Sequence, residues 1–290
     1  MGRSSADRDR TLPESPEPLV SPVIDTHTHL NVHDRSVHGD AYPEADAILA
    51  NAASVGVTKV VQIGCDVDSA RWSVDFAQSR PDVAVGVAIH PNDAARMVER
   101  DGRAALEDAW REIEELAQDP VVRAVGETGL DYFRTDESGR PAQHDSFRWH
   151  IDLAKRLDKA LVIHDRDSHE DVIAVLESEG APATVVFHCF SGDAQMARYC
   201  AERGWYMSFA GVITFPSAGD LRAALTVVPD ELVLVETDAP YLTPAPYRGR
   251  PNATYLTPLT VRSMASVRGT TEAELAPLLF SNAQRAFGAW

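Results

Sequence analysis

At 290 residues the chain is long enough for one large barrel or two medium domains, either with a sizeable core. Its 27 basic and 44 acidic residues leave a net charge of −17, which argues against a general nucleic-acid-coating surface. No apolar stretch approaches a membrane span, and three cysteines without a Cys-x-x-Cys pattern exclude a disulfide framework and point to a reducing, cytoplasmic setting.

In chain order, residues 1–19, "MGRSSADRDRTLPESPEPL", are charged and Pro-rich and read as a disordered leader, with a single domain over 20–290. The stretch "VIDTHTHLNVHD" follows (residues 23–34). If its first part is a strand, Asp25, His27 and His29 lie on one face, and two neutral imidazoles two residues apart can chelate a divalent ion. A polar strand face near the surface would give the same pattern.

Further short apolar or β-branched runs occur at 57–64, 83–90, 122–130, 160–167, 184–192, 206–211 and 232–240. Segments with helical spacing lie between them, such as "DGRAALEDAWREIEELAQD" and "PAQHDSFRWHIDLAKRLD". Eight strands alternating with helices predict a (β/α)8 TIM barrel. The rival is an open doubly wound sheet, but no Gly-rich fingerprint follows the first strand.

Ionisable residues collect where these runs end. His27 and His29 end the first, His90 the third, and Glu127 and Asp131 the fourth. His164 and Arg166 end the fifth, His188 the sixth and Asp238 the eighth. In a barrel these ends form the mouth where active sites are built. Singly, each has a dull explanation as a satisfied buried histidine or a helix-capping acid; together they predict a site.

The motifs "DTHTHL", "GETGLDY", "VIHDR", "FHCFSG" and "ETDAPYL" occur in the order and spacing of the TatD-type metal-dependent deoxyribonucleases of the amidohydrolase superfamily, which the chain resembles over residues 22–288. The resemblance implies a phosphodiesterase site with two divalent metal ions. One would be held by His27, His29 and Asp238, the other by His164 and His188, with Glu127 bridging. Other barrels of the superfamily often bridge with a carboxylated lysine. Here Lys59, Lys155 and Lys159 are the only lysines and none is near a strand end, so a carboxylate must serve and anion recognition falls to arginine.

Two metals a few ångströms apart can stabilise the attacking and leaving oxygens of a phosphodiester displacement. Asp238 is the candidate general base, with Glu127 beside it as the second catalytic carboxylate. Arg166, two residues beyond His164, is placed either to bind a phosphate oxygen or to form a salt bridge at the mouth. His90, in "AIHPND", faces the same mouth and binds substrate or orients a loop. Asp25 reads as a partner of the ligands and not as a ligand.

After the eighth strand the family commonly has Arg-Asn-Glu-Pro, whereas this chain reads "GRPNATYL". Arg250 and Asn252 keep the polar character for substrate, while Ala253 and Thr254 depart from the pattern.

His33, His38, His144, His150 and His169 read as solvated, and Cys189 as a small core residue. The aromatics Tyr132, Phe133, Phe190, Phe215, Tyr241 and Tyr247 either stack on nucleobases or close the mouth. Nitrogen-rich ligation favours Zn, Mn, Fe or Ni in the isolated protein, with added Mg or Mn supporting activity.

The reading is thus a phosphodiester hydrolase trimming DNA from a strand end, with no membrane association and no obligate protein partner evident. The alternatives are an ester hydrolase, for example on aminoacyl-tRNA, and a metal-binding barrel without turnover.

Overall fold

The β-branched runs form the strands and the amphipathic segments the helices of the computed structural model, which describes residues 9–32 and 42–290. The strands are β1 (Val23–Thr28), β2 (Val57–Gly64), β3 (Val83–Val87), β4 (Val122–Asp131), β5 (Ala160–Arg166), β6 (Val185–Phe187), β7 (Tyr206–Phe209) and β8 (Val233–Val235). Each pairs in parallel with the next, in the order β1 to β8.

Closure is made just beyond β8. Thr28 bridges Ala239 in parallel, the amide of Asp238 donates to the carbonyl of His27 at 2.9 Å, and that of His29 donates to the carbonyl of Ala239 at 2.7 Å. The fold is the (β/α)8 barrel expected from the alternation of patterns.

Helices α1 (Ala45–Ser54), α2 (Val67–Ala77), α3 (Pro91–Asp101), α4 (Arg103–Ala117), α5 (Arg140–Leu157), α6 (His169–Glu179), α7 (Ala194–Glu202), α8 (Gly219–Val227), α9 (Thr257–Arg268) and α10 (Glu272–Phe287) surround the strands. Local sequence explains their faces and ends. On α4 the buried residues Leu106, Ala109, Trp110, Ile113 and Ala117 repeat at three- and four-residue steps. Asp66 and Ser69 form a reciprocal capping box at the start of α2, and Thr271 and Glu274 form another at α10.

The apolar interior has two parts. A large cluster fills the layer between strands and helices. A smaller one, including Ile24, Val61, Ile63, Val162 and Leu234, packs against Ala283, Ala286 and Phe287 of α10. The polar residues of the strand ends therefore gather at the other end of the barrel.

One expectation changes. β3, β6 and β8 end earlier than the apolar runs suggested, so His90, His188 and Asp238 sit in the βα loops just past their strands. His90 caps α3, while Cys189 (φ 41°) and Asp238 (φ 53°) adopt left-handed conformations that cannot continue a strand. Residues 9–19, part of the segment read as a leader, bond to the barrel. The amide of Leu19 donates to the carbonyl of Val55 at 3.0 Å, the Tyr255 hydroxyl donates to the carbonyl of Pro13 at 2.7 Å, and Arg262 bonds the carbonyls of Glu17 and Pro18. Charge and proline content do not reveal such backbone docking. Residues 1–8 lie outside the described residues, as do His33 and His38.

Candidate metal centre at the barrel mouth

Glu127 organises the site. It is buried on β4, and its two carboxylate oxygens face different sets of imidazoles. Oε2 lies 3.3 Å from His27 Nε2 and 3.9 Å from His29 Nε2. Oε1 lies 2.5 Å from His164 Nδ1, 2.8 Å from His188 Nε2 and 3.6 Å from His90 Nε2. Asp238 Oδ1 completes the first set, 3.4 Å from His29 Nε2 and 3.8 Å from His27 Nε2. The six residues that the sequence assigned as ligands are therefore brought together.

Close packing of two strands makes this possible. A Cβ on Gly129 would overlap the carbonyl oxygen of His164, so β4 and β5 can carry Glu127 and His164 side by side only with glycine there.

Behind three of the rings an acceptor favours the outer nitrogen for the proton, which in the neutral ring leaves the inner nitrogen as a lone pair; His27 Nδ1 has no such partner among the described residues. His29 Nδ1 is 3.2 Å from the carbonyl of Ile63, an acceptor only, which places the proton on Nδ1 and the Nε2 lone pair in the site. His188 Nδ1 is 3.1 Å from Glu236 Oε1, with the same consequence. His164 is reversed: its Nε2 is 3.2 Å from Asp131 Oδ2, and Nδ1 faces Glu127.

His90 is the exception. Its Nδ1 accepts the backbone N–H of Asn92 at 3.1 Å, so in the neutral ring Nε2 carries the proton and points a donor into the cavity. Metal ligation needs a lone pair, so by this pattern His29, His164 and His188 are suited to ligands and His90 to donating a hydrogen bond.

Charge follows this packing. Burial opposes ionisation of Glu127, but the imidazoles around it, His188 first and then His90 and His164, hold its carboxyl well below the usual range whenever they carry a proton towards it. Asp238 is likewise held low against burial, chiefly by the neighbouring His29 and then His188 when these rings are protonated. Burial pushes Asp25 up to about 7, opposed by bonds from Thr237 and His27; it holds the β8 loop and faces no imidazole nitrogen of the site.

The donor set suits divalent cations. His27, His29 and Glu127 each offer a ligand atom within 4.8 Å of the others, as expected for groups sharing an ion about 2 Å from each. No lysine lines the cavity: Lys59 lies over the Trp290 ring, and Lys155 and Lys159 bond carbonyls elsewhere.

Some residues were not foreseen. Glu236 is fully buried; Oε1 accepts from His188 Nδ1 and from the amide of Cys189 at 2.8 Å, while Oε2 and the buried His27 Nδ1 have no hydrogen-bond partner among the described residues. Its signal was an acid directly after the apolar run "LVLV". Asp131 also accepts from the Asn92 side chain at 2.8 Å and from the amide of Arg134 at 2.8 Å.

The comparisons with known proteins follow this geometry. The family described as TatD related DNase matches residues 24–288. The chain belongs to this family. A TatD-family relative from Mycobacterium tuberculosis, named an uncharacterized metal-dependent hydrolase, is 45% identical over 92% of this chain and 98% of its own. Another of that description, YabD of Bacillus subtilis, is 33% identical over 91% and 98%. The crystal structure of the TatD homologue YjjV from Escherichia coli superposes with a TM-score of 0.81 at 26% identity, covering 91% of this chain and 97% of that one.

Against the TatD pattern, two expected substrate residues are committed elsewhere. Arg250 bonds the carbonyls of Thr11 and Leu12 and pairs with Asp9 at 3.4 Å, so the N-terminal segment occupies it. Asn252 is fully buried and bonds the carbonyl of Thr237 at 2.9 Å and that of Tyr241, fixing the loop after β8. Arg166 does line the cavity, its guanidinium 4.1 Å from the centre of the Phe133 ring.

Cys189 lines the cavity too, because its left-handed backbone breaks the alternation that would have sent it to the core. His150 is not solvated: it is buried on α5, accepts the amide of Ile89 through Nε2 at 3.2 Å and donates from Nδ1 to the carbonyl of Ser146 at 2.7 Å. His144 is half-buried against the Tyr132 hydroxyl at 2.6 Å, and His169 pairs with Asp165 at 2.6 Å.

Proposed function

We propose that the protein is a metal-dependent phosphodiester hydrolase, and that it trims DNA from a strand end. The observation that carries this reading is the division of labour at Glu127, whose two oxygens face two separate imidazole sets. His27, His29 and Asp238 would hold one divalent ion, His164 and His188 the other, with Glu127 between them. Zn, Mn, Fe or Ni suits the imidazoles in the isolated protein, and added Mg or Mn is expected to support turnover. Ions held there supply Lewis-acid stabilisation of the charge on phosphodiester oxygens.

The chain's own groups do the rest. A carboxylate oxygen of Asp238, held ionised, accepts the proton of the attacking water and returns it to the leaving oxygen. His90 presents its Nε2–H to a phosphate oxygen, and Arg166 supplies a guanidinium for another. The cavity, of about 940 Å³, is a cup, so a scissile phosphate reaches its floor more readily at a chain end than within a duplex.

The test is a panel of a bis-aryl phosphodiester, a single-stranded oligonucleotide and a carboxyl ester, each assayed with several divalent metals, alongside metal analysis. Phosphodiester turnover with up to two ions per chain is expected, and His188→Ala should lower the stoichiometry towards one. Turnover of the ester alone, or no bound metal after incubation with Mn²⁺ or Zn²⁺, would overturn the reading.

A further inference from the structure

The cavity has two chemically different walls. Towards β7 and β8 it is apolar, with Val212, Leu221 and Leu242; towards β3–β5 it carries Arg96, Arg134 and Arg166. In a chain of net charge −17, these guanidiniums are the cationic groups of a wall that also carries Asp93, Asp131 and Asp165.

They are not equivalent. Arg96 is neutralised by Asp93 at 2.6 Å, whereas Arg134 and Arg166 form no ion pair among the described residues. Next in sequence to Arg134 is Phe133, 61% exposed, with the Arg166 guanidinium stacked on its ring. A phenylalanine this exposed gains little from folding, and a ring backed by a cation is a ready stacking platform. Arg96 and Arg134 also line a neighbouring, smaller depression that continues to Arg103. There the charge is spent, because Arg103 is paired with Glu107 and Asp145.

We propose that Phe133, Arg134 and Arg166 form a binding subsite for the nucleotide next to the one cleaved, with its base stacked on Phe133 and its phosphate between the two guanidiniums. The apolar wall opposite takes the terminal nucleoside. Two uncompensated guanidiniums also set the reach of the site: affinity rises only over the first few nucleotides of a single strand. The inference deepens the phosphodiesterase reading and rests on it for what occupies the metal centre, but single-strand affinity at the rim needs no turnover.

The experiment measures binding of labelled thymidine di-, tetra- and octanucleotides to the full chain in EDTA, by fluorescence anisotropy. Affinity is expected to rise about tenfold from the dimer to the tetramer, the order of one stacked base, and to level off at the octamer. Phe133→Ala and Arg134→Ala should each erase that gain, and Phe133→Trp should restore it. Arg134→Ala should also reduce the salt slope by about 0.7.

Equal affinities at all three lengths, or a continued rise to the octamer, would overturn the subsite. So would variants that bind like the parent protein. If the parent hydrolyses no phosphodiester with any metal, the functional reading fails by itself, and the length dependence still decides the rim.

Discussion

At single residues, hydrogen bonds behind the imidazoles distinguish candidate ligands from a donor. His29, His164 and His188 each have an acceptor behind the ring, whereas His90 has an amide N–H. Glu236 lies behind two rings at once, bonded to His188 and grouped with His27 within 4.8 Å, which are assigned to different ions. Glu236→Gln should therefore lower the affinity for both ions, by about 10–100-fold, the usual cost of losing an orienting partner. Metal titration of the apoprotein measures this, and a loss confined to one ion would contradict it. Asp238→Asn should reduce turnover by at least about 10²–10⁴-fold, the range for a general base, with the melting temperature little changed. Near-parental hydrolysis by that variant would show that another group takes the proton.

At the level of elements, α5 is tied to the barrel by His150, which bridges the amide of Ile89 beyond β3 and Thr128 Oγ1 of β4. Burial lowers its pKa to about 4, with the Ser146 carbonyl opposing. Because the folded value lies below the unfolded value of about 6.5, the unfolded chain binds the proton more readily. Its contribution is complete above about pH 6.5 and is lost as the pH falls towards 4, amounting to about 3 kcal/mol. Urea unfolding should show His150→Leu less stable than the parent at neutral pH, since the Ile89 amide loses its acceptor, but with a weaker decline on acidification. An identical pH dependence in both proteins would assign the acid lability elsewhere.

α5 also shows why the sequence misled: His150 lies three residues after Phe147 on the buried stripe, and composition took precedence over spacing. Strand ends failed for a different reason. The segments read as the sixth and eighth strands extend to residues 192 and 240, yet β6 stops at Phe187 and β8 at Val235, with left-handed Cys189 and Asp238 in the loops beyond, and a sequence pattern carries no sign of φ.

Across the whole molecule, net charge and cavity shape together set what the proposed polyanionic substrate would meet. With few uncompensated guanidiniums at the mouth, two or three phosphates are neutralised, and the slope of log K against log salt should lie between about −1.5 and −3. Short single strands should be shortened stepwise, while closed circular DNA survives much longer. Rapid nicking of a closed circle, or a slope near −8, would reveal an extended nucleic-acid surface. Among the described residues no helix is long and apolar enough to cross a membrane.

The sequence by itself determined the barrel, through apolar runs at regular intervals, and the ligand candidates, through the ionisable residues that end six of those eight runs and the motifs they belong to. Tertiary structure alone decided what each polar group faces. Arg250 and Asn252 look like Arg166 in a sequence, yet the N-terminal segment takes one, the β8 loop buries the other, and only Arg166 keeps its head in the cavity. The physical reason is that the partners lie far apart along the chain: Arg250 meets Thr11, and Glu236 meets His188, through contacts that exist only once the barrel has closed.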